Sequence, residues 1–70
     1  MKVYTYLILY SYIVDFKGVE RNGSTFYYTD KKISDYNLEE AKLATDLIMS
    51  DIQQKAETNN VTISDIKLIE

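Results

Sequence analysis

Residues Val3 to Phe16 read VYTYLILYSYIVDF, a run whose tyrosines and β-branched side chains suit a strand and whose two alternating faces are both apolar. Val3, Leu7, Leu9 and Ile13 fall on one side. Tyr4, Tyr6, Ile8, Tyr10, Tyr12, Val14 and Phe16 fall on the other. Both sides need cover, and the rest of the chain offers one helix, which covers one face of a sheet. The second face is therefore open to water or buried by something outside the chain.

Downstream, Asn22-Gly23 is a strong hairpin signal, because a type I′ turn needs positive φ at both central residues. It predicts a second strand over Ser24 to Ile33, with Val19 opposite Phe26, Phe16 opposite Thr29, and a bulge at Gly18. Asn37 followed by Glu40 forms a capping-box pattern opening a helix that runs to about Ala56, with Asn59-Asn60 ending it. Leu38, Ala41, Ala44, Leu47, Ile48, Met49 and Ile52 span an arc of about 200° on this helix, and Leu43 widens it. Glu39, Lys42, Asp46, Gln53 and Glu57 face water. A last strand over Val61 to Ile69 carries a candidate irregularity at Ser64-Asp65.

A right-handed crossover from the second strand through the helix makes strands 2 and 3 parallel and lets strand 3 pair with the free side of strand 1. The expectation is a single domain over residues 1–70 of the α+β class, ββαβ, with a three-stranded sheet in order 2-1-3 and one helix on one face. Leu7, Leu9 and Ile13 are expected under Ala44, Leu47, Ile48 and Ile52, joined by Ile66 or Leu68. That leaves the tyrosine face outward.

Seventy residues bury roughly 60% of the unfolded surface, a marginal core without staples or a partner. There is no Cys and no His, so disulfides, thiolate zinc sites and His- or Cys-based catalytic dyads are excluded. The glycines precede no helix and form no phosphate loop. Asp15 and Asp30 could face each other across the hairpin, but Lys17, Lys31 and Lys32 neutralise them there. No catalytic, cofactor-binding or metal-binding residue is expected. The net charge of −3 disfavours nucleic acid. The apolar run of the first strand is too short to span a bilayer and lacks a cleavage pattern, so a soluble cytoplasmic protein is expected.

Seven tyrosines in so short a chain exceed what a core usually takes, because each buried hydroxyl needs a partner. Tyrosine is favoured at protein interfaces. Tyr4, Tyr6, Tyr10 and Tyr12 are therefore candidate partner-binding residues and candidate contacts in a homo-oligomer. Glu39 and Asp46 on the acidic helix are candidates for a basic protein surface.

Tyr10-Ser11-Tyr12 in a long first strand, Thr29-Asp30-Lys31-Lys32-Ile33 leading to an acidic helix, and Asn60-Val61-Thr62-Ile63 closing with Lys67-Leu68-Ile69 form a combination covering most of the chain. It resembles small uncharacterised ββαβ proteins of bacteriophages and integrated elements of low-GC Gram-positive bacteria. The resemblance implies a non-catalytic accessory protein that binds a host protein, a class including inhibitors of host defence such as anti-CRISPR proteins. The alternative is a homo-oligomeric module holding a small ligand or nucleic acid in a tyrosine-lined groove.

Overall fold

The computed structural model describes residues 2–14 and 18–69. Strands β1 (Tyr4–Ile13) and β2 (Glu20–Thr29) form an antiparallel ribbon. A short 3₁₀ turn at Ile33–Asp35 leads to helix α1 (Leu38–Ala56), and β3 (Val61–Leu68) returns along the other side of β1. The sheet order is β2-β1-β3, the ββαβ arrangement expected from the connection rules.

The hairpin does not turn at Asn22-Gly23. Both residues lie inside β2, opposite Ser11 and Tyr10, and Thr29 faces Tyr4 where Phe16 had been expected. Likewise Phe26 faces Leu7 and not Val19. The reversal lies between Val14, whose N–H donates to the Val19 carbonyl at 3.2 Å, and Val19. Residues 15–17, and with them the anticipated Asp15, Phe16 and Lys17 contacts, lie outside the described residues. Gly18 belongs to this connection and has φ +69°, a left-handed conformation that glycine adopts at little cost.

Two physical reasons favour the observed register. A turn at Asn22-Gly23 would set the first part of β1, Tyr4 to Leu7, opposite residues 38–41, which form α1, whereas the observed register pairs all ten β1 residues with β2. Gly23 also has a packing role, since a Cβ on it would lie 2.6 Å from both Cζ and Oη of Tyr10. The glycine lets the Tyr10 ring lie across β2.

The faces of β1 are the reverse of the expectation. Tyr6, Ile8 and Tyr10 are buried with Ile48, Ile52 and Val61, while Leu7, Leu9 and Ile13 lie on the sheet face away from the helix. The chain around β1 supplies what buried tyrosines require. The Ile33 N–H donates to the Tyr6 hydroxyl at 2.9 Å, and no buried side-chain polar atom among the described residues lacks a partner. Ile8, wholly buried between the two rings, meets the equally buried Ile52 of α1 in one cluster.

Helix α1 starts as expected. The Glu40 N–H donates to Asn37 Oδ1 at 2.8 Å and the Asn37 N–H donates to Glu40 Oε1 at 3.1 Å, a complete capping box. It ends at Ala56 as expected, but Glu57 and not the Asn59-Asn60 pair takes the left-handed position. Its buried seam is Ala44, Ile48 and Ile52, one residue per turn. Leu47, expected in the core, sits one residue off that seam and is 64% exposed.

The irregularity in β3 is present. Asp65 pairs with Leu9 and Ile63 with Tyr10, which leaves Ser64 without an opposite residue. This bulge changes the parity of the strand. Val61 and Ile63 before it, and Ile66 and Leu68 after it, consequently all share the helix side of the sheet. Ile66 and Leu68 lie beyond the cover of α1 and stay exposed.

Candidate functional site

Alternation along the paired strands fixes what the uncovered sheet face contains. Leu7 pairs with Phe26, Leu9 with Ser24 and Thr5 with Tyr28, and opposite residues in an antiparallel pair share a face. On the β3 side, Lys67 stands opposite Leu7 and Asp65 opposite Leu9. The face thus carries an apolar stripe of two rings and two leucines, bordered by a Lys67–Asp65 ion pair at 3.9 Å. Phe26 is 53% and Tyr28 64% exposed, with ring centroids 6.3 Å apart. No element among the described residues packs on this side.

The tyrosines singled out by sequence lie under the helix. Tyr6 and Tyr10 are 7% and 6% exposed, so they are core and present no surface to a partner. Tyr12 is half-buried, its ring centroid 5.9 Å from that of Tyr10. Tyr4 is half-buried at the margin, with the Lys2 and Lys32 ammonium groups 5.2 Å and 5.9 Å from its ring centroid. Glu39 and Asp46 are exposed on α1 and, with Lys42 and Leu43, line a shallow groove. The structure therefore does not gather the two predicted groups into one site.

A chain of hydroxyls joins β2 to the segment before α1. Thr29 Oγ1 donates to the Lys31 carbonyl at 3.1 Å, which leaves it to accept from the Tyr36 hydroxyl at 2.6 Å. Tyr36 in turn accepts from the Tyr27 hydroxyl at 3.2 Å. Burial, reinforced by the hydrogen bond to Tyr36 and by the charges of Tyr36 and Asp30, pushes Tyr27 up to about 12. Such a phenol holds its proton and makes a poor base. Beside it, Lys31 Nζ pairs with Glu40 Oε2 at 2.6 Å. That bond raises the Lys31 ammonium above its ordinary value. It also lowers the Glu40 carboxyl, aided by the Asn37 N–H.

On the outer side of β2, Thr25 Oγ1 donates to Asp51 Oδ2 at 3.2 Å and accepts from Lys55 Nζ at 2.6 Å. Asp51 and Lys55 themselves pair at 3.0 Å. Among the described residues, no cluster of three or more His, Cys, Asp or Glu side chains is gathered for a metal, and no helix is long and apolar enough to cross a membrane.

Phe26 and Tyr28 escaped the sequence reading as a site because strand 2 had been placed in a different register, and Leu7 and Leu9 because they had been assigned to the face under the helix. The alternation of Ser24, Phe26 and Tyr28 against Gly23, Thr25 and Tyr27 was available as a signal once β2 is begun at Glu20. Compared with protein-family models, curated proteins and solved structures, the chain matches none.

Proposed function

We propose that this chain works without catalysis, by binding another protein across the open face of its sheet. The observation that carries this reading is the stripe of exposed Phe26 and Tyr28 and half-buried Leu7 and Leu9 on a face that no element among the described residues covers. Contiguous exposed apolar surface with a polar border is the arrangement of an interaction site, and rigid aromatic rings supply contact area at low entropic cost. The role implied by the resemblance to phage-type ββαβ proteins is that of a cytoplasmic accessory factor that engages a host protein, with inhibition of host defence as the leading activity. Tyr6 and Tyr10 serve the fold in this reading, and Phe26 and Tyr28 replace them as the aromatic contacts.

The test is affinity capture from a Gram-positive host lysate with the wild type, then titration of the recovered protein against Phe26→Ala, Tyr28→Ala and the charge reversals Glu39→Lys and Asp46→Lys. The open-face variants should weaken binding by about 30-fold or more, the size expected of a buried aromatic contact. Undiminished affinity in both, with loss in the helix variants, would move the site to α1 and overturn the proposal.

A further inference from the structure

The two edges of the sheet differ. The β3 edge is interrupted by the Ser64 bulge and carries Asp65 and Lys67, devices that discourage a further strand. The β2 edge is ten residues long, pairs among the described residues only with β1, and has neither proline nor a charged side chain from Asn22 to Thr29. Leucines overhang it. Leu43 and Leu47, one helical turn apart and each 64% exposed, line the trough between α1 and β2 with Thr25, Tyr27 and Thr29. A strand added along β2 would lie beneath these leucines on one face and beside Phe26 and Tyr28 on the other. A single occupant would thus pack beneath the leucines and extend the face that carries the two rings.

We infer that this occupant is the β2 strand of a second copy of the chain, paired antiparallel about a two-fold axis perpendicular to the sheet. Opposite residues must share a face, so even-numbered positions meet even and odd meet odd. With Thr25 facing its own copy, Phe26 stands opposite Ser24, Tyr28 opposite Asn22 and Tyr27 opposite Gly23. Each large ring meets a small or short side chain, and no like charges oppose one another between Asn22 and Tyr28. The same rotation carries the Leu43/Leu47 ridge of each copy, which stands over the Tyr27–Thr29 end of its own β2, to the Gly23 end of the other copy's β2. It also brings two Asp51–Lys55 pairs together at the axis with balanced charge. Such isologous closure explains why one strand carries complementary halves of a contact. The product is a six-stranded sheet in order β3-β1-β2-β2-β1-β3, with both helices on one side and a doubled open face on the other.

Sedimentation equilibrium across the micromolar range should show a dimer for the wild type. Phe26→Lys and Leu47→Lys, both at exposed positions that leave the core intact, should each raise the dissociation constant by about tenfold or more while far-ultraviolet circular dichroism is unchanged. Leu38→Lys, at an exposed position on the other flank of α1, should dimerise like the wild type. Hydrogen exchange on the dimer should show protection of the outward-facing β2 amides, lost in Phe26→Lys. A wild type that is monomeric throughout overturns the inference. So do dimers that persist in both lysine variants, and a β2 edge protected only when a different protein is bound.

Discussion

Replacing Gly23 by alanine isolates the contact that sets the hairpin register. Gly23 lies in extended backbone within β2, where alanine is ordinarily the better residue by about 0.5 to 1 kcal/mol because it restricts the unfolded chain. Its added methyl, however, would stand 2.6 Å from Tyr10 Cζ and Oη and 2.8 Å from Cε2. Tyr10 is buried, so its ring has little room to retreat, and overpacking of this kind costs about 1 to 3 kcal/mol. The net expectation for Gly23→Ala is destabilisation by about 1 to 2 kcal/mol. In a Tyr10→Leu background, which removes the far end of the ring, the same substitution should become neutral or stabilising. Gly18→Ala provides the contrast. Nothing lies within 4 Å of a Cβ there, and its cost of about 1 to 2 kcal/mol comes from left-handed backbone alone, so it should be the same with either residue at position 10. Urea unfolding of the four-membered cycle at one fixed protein concentration, followed by circular dichroism, measures the coupling. A Gly23→Ala penalty independent of residue 10 would mean that Gly23 serves a turn and that the register is wrong.

The reversal of the β1 faces makes a second comparison decisive: Ile52→Ala should cost about 2 to 5 kcal/mol, whereas Leu9→Ala, on the open face, should cost about 1 kcal/mol or less in urea unfolding. The opposite ranking would return the leucines to the helix side. Tyr27 titrates near 12 when folded and near 10 when unfolded, so the stability tied to its protonated form is complete below pH 10 and is lost as pH rises toward 12. Alkaline unfolding should lose that component in Tyr27→Phe, and a phenolate absorbance titration showing every tyrosine ionising near 10 would refute the assignment.

Local chemistry made much of this architecture legible. Asn37 and Glu40 marked the helix start because a capping box needs only residues three apart, and helical periodicity put Ala44, Ile48 and Ile52 on the apolar arc, although that arc also took in Leu38, Leu43 and Leu47, which are exposed. Ser64-Asp65 marked the bulge, since Val61, Ile63, Ile66 and Leu68 change parity across it. Chain connection then determined the order β2-β1-β3. Tertiary contact decided the rest. Asn22-Gly23 locally favours a turn, and the Tyr10 ring lying across Gly23, together with full pairing of β1, overrode that preference in favour of the strand. Both faces of β1 are apolar, so alternation alone could not orient it. The tyrosine side went inward because the segment at Ile33 supplies a donor to the Tyr6 hydroxyl and Gly23 makes room for Tyr10. Those partners are distant in sequence, and the open face of Leu7, Leu9, Phe26 and Tyr28 exists only as their consequence.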